Sequence, residues 1–275
     1  MKAKKSLGLP RGARAKWGQN FLRDENILQR IADFAEIEKT DTVVEVGPGE
    51  GTLTKILLKK AGKVIAVEKD ENLAELLKQN FREEIIDNRL QIIVGDILTY
   101  NLKSNGYKLI GNIPYYITGE IFRKFLENPP AGGQPKSLTF VVQKEVAERI
   151  MGSHFAKASR DKKESVLSIS IKVYGTPEYG GVIKAGSFSP APKVDSAIIA
   201  VRNIGKERFI DRKIDEKKFF EILKKGFAHK RKLLIKNLEV AENIFKDLGL
   251  DPKTRAEDLK VDDWFLIAQK INPEL

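Results

Sequence analysis

The segment Thr42–Thr54, which reads TVVEVGPGEGTLT, constrains the fold of this chain more than any other stretch. Its first part, Thr42–Val46, is largely β-branched and apolar and predicts a buried strand, and apolar residues at helical spacing follow from Leu53. Between them glycine stands at every second position, at Gly47, Gly49 and Gly51. A strand, a glycine turn and a helix in this order open a nucleotide-binding βαβ unit.

The spacing of the glycines indicates what the turn binds. It is Gly-x-Gly-x-Gly, whereas dinucleotide enzymes use Gly-x-Gly-x-x-Gly. Glu45 ends the strand and Glu50 stands near the helix N-terminus, where a carboxylate repels phosphate but suits a cationic ligand. S-adenosylmethionine carries a sulfonium and an ammonium and no phosphate. The alternative is a tight strand–helix turn without a ligand.

The composition of the chain limits the classes of function that it can have. A net charge of +11 with a pI of about 9.5 favours a polyanionic partner, although such a balance also serves solubility alone. The chain has 0 Cys and only two histidines, His154 and His229, so we expect no metal site. No apolar run approaches the roughly 20 residues that span a bilayer, and we expect a cytoplasmic protein without membrane contact. Residues 1–16 carry six basic side chains and no acid, which is either a solvated tail or an arm on a phosphate backbone.

Two further strands end near an acid. Lys63–Val67 runs into Glu68, which lies 21 positions after Gly47, the distance at which an acid binds both ribose hydroxyls. Leu90–Val94 is followed by Asp96, which can accept a hydrogen bond from an adenine amine. The alternatives are a solvated charge for Glu68 and an Asx turn for Asp96.

The segment Asn112-Ile113-Pro114-Tyr115 follows a fourth strand and has a chemical rationale. The N6 lone pair of adenine is delocalised into the ring, and an Asn oxygen with a backbone carbonyl, each accepting one N6–H, would localise it. Tyr115 would stack on a base extruded from RNA. Asn-x-Pro is otherwise an ordinary turn. Phe188, in a loop with two prolines, is either a second stacking ring or part of the core.

The rest of the chain completes the predicted fold. Strands are expected at 138–142, 166–173 and 195–202, and a basic loop at 154–165. A composition shift near Gly205 predicts a boundary between a domain at 1–204 and a helical domain at 205–275. The stretch Leu223–Lys236 holds six basic residues and no acid, and is interpreted as a surface that faces RNA.

Over essentially its full length the chain resembles the KsgA-type small-subunit rRNA adenine N6,N6-dimethyltransferases. The motifs that carry the resemblance are Lys16–Leu22, Glu45–Thr54, Glu68, Gly95-Asp96, Asn112–Tyr115, Phe188–Val194 with Ser196, and the basic helix through Asn237-Leu238. The family has Leu more often than Ile at position 113, which leaves the backbone carbonyl unchanged.

The resemblance implies a Rossmann-like class I methyltransferase fold, an α/β fold with a seven-stranded, mostly parallel sheet, and a small all-helical C-terminal domain. It implies S-adenosylmethionine contacts at Asn20, Leu22, Gly47, Glu68, Asp96 and Asn112. The catalytic residues would be Asn112, Pro114, Tyr115 and Phe188. The substrate would be two adjacent adenosines in the 3′-terminal hairpin loop of 16S rRNA, within a pre-30S particle, and the enzyme is expected to be a monomer.

Three other functions are alternatives to small-subunit rRNA dimethylation. An Erm-type enzyme would methylate large-subunit rRNA, but the proline-rich motif around Phe188 and the basic arm favour the small subunit. A non-enzymatic assembly or transcription factor on the same scaffold is disfavoured by the intact Asn112–Tyr115 segment. A nicotinamide oxidoreductase would need another glycine spacing.

Overall fold

The fold is built on a seven-stranded β-sheet, seen in a computed structural model that describes residues 20–152 and 163–271. The strands are β1 (Phe21–Leu22), β2 (Thr42–Val46), β3 (Lys63–Glu68), β4 (Leu90–Val94), β5 (Lys108–Asn112), β6 (Ser137–Gln143), β7 (Thr176–Ile183), β8 (Phe188–Ser189) and β9 (Ser196–Arg202). The large sheet has the order β4-β3-β2-β5-β6-β9-β7, and β1 pairs with β8 in a separate two-stranded sheet.

Helices connect the strands and make up the C-terminal part of the chain. They are α1 (Glu25–Phe34), α2 (Thr52–Lys60), α3 (Glu71–Asn80), α4 (Arg82–Ile86), α5 (Thr118–Phe122), α6 (Lys144–Met151), α7 (Val166–Lys172), α8 (Glu207–Arg212), α9 (Glu216–Gly226), α10 (Leu234–Leu238), α11 (Glu242–Asp247) and α12 (Val261–Ile271). Short 3₁₀ turns lie at Tyr115–Ile117, Ala185–Ser187 and Ala256–Asp258, and α5 continues as a π-helix over Arg123–Glu127. The Asp24 side chain caps α1 by accepting from the backbone of Asn26 and Ile27.

The strands around β2 are parallel, which brings their carboxyl ends to one edge of the sheet. Strand β2 pairs with β3 on one side and with β5 on the other, and β4 and β6 extend the parallel order outward. Val46 at the end of β2 stands beside Val67 and Gly111. In sheets of this kind ligands bind outside the carboxyl ends of the strands, at the point where the strand order reverses. Here that point lies between β2 and β5.

One predicted strand is wrong. Residues 166–173 were expected to be extended, but Val166–Lys172 is the helix α7. Ser165 and Ser168 form a capping box at its start, and buried Lys172 bonds Glu164 at 2.6 Å. The apolar alternation that indicated a strand therefore belongs to a helix with bonded polar groups on its buried side. The seventh strand is β7 instead, whose Gly180 lets Phe34 and Ile198 approach to within 3 Å of where a β-carbon would lie.

The chain divides into two compact units, which differ from the predicted domains. One comprises residues 1–144 and 180–200, and the other residues 145–179 and 201–275. In the second unit the aromatic rings of Phe209, Phe219 and Phe265 pack together, with 4.8 Å between the centroids of the last two. The boundary at 204/205 stays a prediction, because the structure groups 145–179 with the C-terminal helices.

The described residues include neither a membrane-spanning helix nor a group of side chains suited to a metal ion. No described helix has the length and apolar character needed to cross a membrane. Within 20–152 and 163–271, no three His, Asp or Glu side chains form a group that would hold a metal ion. The predicted basic arm at 1–16 and most of the predicted basic loop at 154–165 lie outside the described residues.

Candidate active site

A cavity opens at the carboxyl ends of β2 and β5. Its walls come from the segment before α1, the glycine loop, the first turn of α2 and the segment after β5. The lining residues are Asn20, Phe21, Leu22, Leu28, Glu45, Gly47, Pro48, Gly49, Thr52, Leu53, Asn112, Ile113, Pro114 and Tyr115. The fold thus brings together six of the predicted site residues, which are Asn20, Leu22, Gly47, Asn112, Pro114 and Tyr115.

The glycine loop needs its glycines for both conformation and space. Gly47, Gly49 and Gly51 have φ angles of +63°, +58° and +80°, in the left-handed region that other residues rarely adopt. A β-carbon on Gly49 would lie 2.9 Å from the Phe21 ring, whereas one on Gly47 would meet no protein atom within 4 Å. Gly47 therefore borders open space at the tip of β2.

Glu68, the predicted ribose ligand, holds the glycine loop against β3. Its carboxylate accepts from the backbone N–H of Gly49 at 3.0 Å and of Asp70 at 2.9 Å. Burial raises the pKa of the Glu68 carboxyl, and these backbone bonds partly offset that effect. Glu68 is not among the lining residues of the cavity, and its contact with a ribose stays a prediction.

Asp96 forms an Asx turn, which was the alternative to a contact with the adenine amine. One carboxylate oxygen accepts from the backbone of Leu98 at 2.9 Å, and the other pairs with Lys69 at 2.9 Å. Burial opposes ionisation of Asp96, but these bonds outweigh it and hold the pKa below its usual value. Asp96 does not line the cavity either, so its role toward adenine also stays a prediction.

The segment Asn20–Arg23 covers the glycine loop and is tied to it. Thr52 Oγ1 donates to the Leu22 carbonyl at 3.0 Å, and Arg23 forms two bonds with Glu50, at 2.7 and 2.8 Å. Glu50 is thus neutralised by Arg23, so the expectation that its charge favours a cationic ligand is not supported. Among the described lining residues of the cavity, Glu45 is the only Asp or Glu.

Glu45 is buried at the end of β2. Thr54 Oγ1 donates to its carboxyl at 2.6 Å. Burial raises the pKa of this carboxyl to about 8; the Thr54 bond opposes the rise and the Glu68 carboxyl adds to it. A cation in the cavity would favour the ionised form of Glu45.

Asn112 and Tyr115 are each held by a distant part of the chain. Asn112 Nδ2 donates to the Asn20 carbonyl at 2.8 Å, which fixes the orientation of the carboxamide. The Tyr115 hydroxyl and Ser196 Oγ share a hydrogen bond of 2.7 Å. Burial raises the pKa of the Tyr115 phenol, and the Ser196 bond only partly offsets this, so the phenol is protonated at neutral pH.

Phe188 lies in the hydrophobic core with 5% of its surface exposed. It pairs with Leu22 where β8 meets β1, beside the segment that covers the glycine loop. Its function as a second stacking ring stays a prediction, because the contacts in the structure are those of a core residue.

The fold and these features define a class I S-adenosylmethionine-dependent methyltransferase. The profile of ribosomal RNA adenine dimethylases matches residues 11–273, and the chain belongs to that family. It is 37% identical to a protein of Dehalococcoides mccartyi named ribosomal RNA small subunit methyltransferase A, over 92% of this chain and 86% of that protein. A protein of the same name from Mycoplasmopsis pulmonis is also 37% identical, over 93% and 97% of the two chains. The protein is thus an rRNA methyltransferase that uses S-adenosylmethionine.

Two solved structures share the fold. A dimethyladenosine transferase from Plasmodium falciparum superposes with a TM-score of 0.78 and 23% identity, covering 92% of this chain and 98% of that chain. The 23S rRNA methyltransferase ErmE gives a TM-score of 0.71 and 24% identity, covering 92% and 100%. Together they confirm the predicted methyltransferase fold.

Several contacts at the site were not predicted from the sequence. They are the bonds Thr52–Leu22, Thr54–Glu45, Arg23–Glu50 and Tyr115–Ser196. For Thr54 a signal existed, since the spacing from Glu45 joins a strand end to the first turn of the next helix. The Ser196 contact joins residues 81 positions apart, which no local pattern indicates.

Proposed function

We propose that this protein transfers methyl groups from S-adenosylmethionine to N6 of two adjacent adenosines in the 3′-terminal hairpin loop of 16S rRNA, two methyl groups to each, within a pre-30S particle. We further propose that it acts in the cytoplasm as a monomer. The observation that carries the proposal is the pairing of Asn112 Nδ2 with the Asn20 carbonyl at 2.8 Å, on the wall of a cavity that also includes Pro114 and Tyr115.

The Asn112 pairing supports an assignment of the side-chain oxygen as the atom that meets the substrate. With Nδ2 bonded to Asn20, the side-chain oxygen of Asn112 is left to accept an N6–H of the target adenine. A backbone carbonyl near Ile113-Pro114 would accept the second N6–H. These two bonds would localise the N6 lone pair and orient it for attack, which is catalysis by positioning and by preorganised dipoles.

Tyr115 would supply a stacking surface for the extruded nucleobase. It would not act as a general base. Its phenol is protonated at neutral pH and so cannot accept a proton from the substrate. The ring lines the cavity beside Pro114. After methyl transfer the N6 nitrogen is cationic and acidic, so its proton can leave to water. Phe188 would provide a second stacking surface on the other side of the base.

The lining of the cavity fits a cationic methyl donor. The open space beside Gly47 admits a ligand at the tip of β2, and no described lining residue is a Lys or Arg that would favour phosphate. We assign Asn20, Leu22, Gly47, Glu68, Asp96 and Asn112 to the binding of S-adenosylmethionine. When bound, this cofactor supplies the methyl group; the residues of the chain hold and orient the two reactants.

The small ribosomal subunit is the favoured substrate over the large one. Relatives that are 37% identical over more than nine-tenths of this chain are named as small-subunit methyltransferases. The likeness to ErmE, at 24% identity, concerns the fold alone. The preserved Asn112 and Tyr115 contacts support an active enzyme over an assembly factor that has lost catalysis.

A basic surface on the C-terminal helices would bind rRNA phosphates. Its side chains are exposed and comprise Lys224, Lys225, Lys230, Arg231, Lys232 and Lys236. Asn237 Nδ2 donates to the carbonyls of Gly226 and His229, at 2.5 and 3.1 Å, and so shapes the turn that carries three of them. Replacing Arg231 with Gln should reduce the salt slope of 30S binding by roughly one unit, whereas Lys246→Gln on α11 should not.

The test is to incubate the protein with labelled S-adenosylmethionine and, separately, undermethylated 30S subunits, 50S subunits and free rRNA. Mass spectrometry of nuclease digests then maps the modified bases. We expect N6,N6-dimethyladenosine at two adjacent positions of 16S rRNA from the 30S sample. Modification of the 50S sample in preference to the 30S sample would refute the small-subunit assignment.

A further inference from the structure

The hydroxyl of Tyr115 has a buried partner that the proposed reaction does not use. Tyr115 is half-buried on the cavity wall, and its hydroxyl lies 2.7 Å from Ser196 Oγ. Ser196 is the first residue of β9 and has no exposed surface. A hydrogen bond in such a buried place is stronger than at the surface, because water cannot replace it.

Further bonds lie at Tyr115 and next to Ser196. Thr118 Oγ1 donates to the Tyr115 carbonyl at 2.9 Å, which closes the 3₁₀ turn. Next to Ser196, the Asp195 carboxylate accepts from the Ala185 backbone at 3.0 Å and from Lys184 at 2.9 Å. The Tyr115 side chain is therefore held at two ends, by its own turn and by the start of β9.

We propose that Ser196 is a positioning residue for methyl transfer, which acts by anchoring the Tyr115 hydroxyl so that the ring is held ready to stack on the target adenine. The inference rests on the proposed function. The phenol ring makes the contact with the base, and the hydroxyl serves only to prevent rotation and tilt of that ring. Ser196 itself touches no reacting atom.

The geometry changes what is expected of a hydroxyl deletion. Stacking needs only the ring, so without this bond Tyr115→Phe would retain most activity. With the Ser196 bond present, Tyr115→Phe and Ser196→Ala should each lower the single-turnover rate roughly three- to tenfold, the scale of one buried neutral hydrogen bond. Both variants remove the same bond, so the double variant should be no slower than the slower single variant.

The experiment is a double-mutant cycle on undermethylated 30S subunits, with single-turnover rates measured across a range of 30S concentrations. We expect the rate at saturation to fall while the half-saturating 30S concentration stays unchanged, because phosphate contacts elsewhere carry that binding. Calorimetry with S-adenosylmethionine provides a readout independent of turnover and should give wild-type affinity for all variants. A merely structural bond would lower the melting temperature and leave the saturating rate at wild-type level.

Tyr107→Phe is the matched control. Tyr107 lies just before β5, and its hydroxyl donates to the Gly133 carbonyl at 3.0 Å, so the variant loses a comparable bond from the same type of residue. It should lower stability without changing the saturating rate. Ser196→Thr keeps the hydroxyl and should recover much of the rate lost in Ser196→Ala.

Three results would overturn the inference. They are a wild-type rate for Tyr115→Phe, fully additive losses in the double variant, or an equal rate loss in Tyr107→Phe. If Ser196→Ala does not fold, Tyr115→Phe decides alone, since it leaves Ser196 in place. A wild-type protein that fails to methylate 30S would instead refute the proposed function, so the two failures are distinguishable.

Discussion

The two sides of the cavity are held in place by different kinds of bond. On the glycine-loop side, backbone N–H groups are involved: Gly47 N donates to the Val67 carbonyl and Gly49 N to the Glu68 carboxylate, each at 3.0 Å. On the opposite side, two side chains are held by distant segments, Asn112 by Asn20 and Tyr115 by Ser196. The partners are 19 to 20 positions apart in the first case and 81 to 92 in the second.

This difference suggests separate functions for the two sides, cofactor binding on the glycine-loop side and methyl transfer on the other. Backbone donors in the glycine loop form a cradle that is held by the Val67 carbonyl and the Glu68 carboxylate, which suits a ligand that is the same for every methyltransferase of the class. The side chains on the other side depend on contacts that only the complete fold provides. Substitutions there should affect the rate of transfer more than the binding of the cofactor.

The largest expected effect concerns Asn112. Asn112→Ala removes both the acceptor for N6–H and the bond to the Asn20 carbonyl. Single-turnover methyl transfer to undermethylated 30S should fall roughly a hundredfold or more, the usual scale for losing one positioned polar group.

Asn112→Asp is the informative companion of that variant. It keeps an oxygen acceptor but removes the N–H that donates to Asn20, so two oxygens then face each other. We expect Asn112→Asp to be nearly as slow as Asn112→Ala. If the aspartate variant instead kept the wild-type rate, the Asn20 bond would have no function in orienting the carboxamide.

Glu68 provides the corresponding test on the glycine-loop side. Glu68→Gln preserves size but turns one acceptor oxygen into a donor that faces a backbone N–H of Gly49 or Asp70. S-adenosylmethionine affinity measured by calorimetry should fall at least about tenfold, the effect of one charge-assisted bond. Unchanged affinity in a folded variant would remove Glu68 from the cofactor site.

The fold was predictable where the pattern is local. The strands β2, β3 and β4 were predicted to within one or two residues, because each has an apolar run with a clear end signal. Helix α7 was mistaken for a strand because its buried face carries bonded Ser168 and Lys172. The sequence alone does not distinguish a polar residue that is buried with a hydrogen-bond partner from one that is exposed.

The site was predictable to the same extent. Gly47, Asn112 and Tyr115 were chosen for their chemistry and Asn20 from the family resemblance, and all four line one cavity. The bonds that orient Asn112 and Tyr115 were not predicted, because they join residues 92 and 81 positions apart. Such contacts follow from the tertiary fold, and no local spacing indicates them.

The smallest expected effect concerns Glu45, which is buried beneath the glycine loop. Its carboxyl has a pKa of about 8 in the folded protein against a usual value of 4.5. As pH rises from about 4.5 to 8, the unfolded chain releases this proton before the folded protein does. The free energy of unfolding therefore falls over this range and levels off above it.

Glu45→Gln mimics the protonated carboxyl and can still accept the bond from Thr54 Oγ1. Without cofactor, its melting temperature should match that of the wild type near pH 4 and exceed it by several degrees at pH 9, since each kcal/mol shifts the melting temperature of a domain of this size by about 2–4 °C. Glu71→Gln, an exposed Glu-to-Gln change on α3, is the surface control to be measured beside it. A Glu45→Gln curve parallel to the wild type over that range would mean that Glu45 is ionised in the folded protein, and that the glycine-loop side tolerates a buried charge beneath its backbone donors.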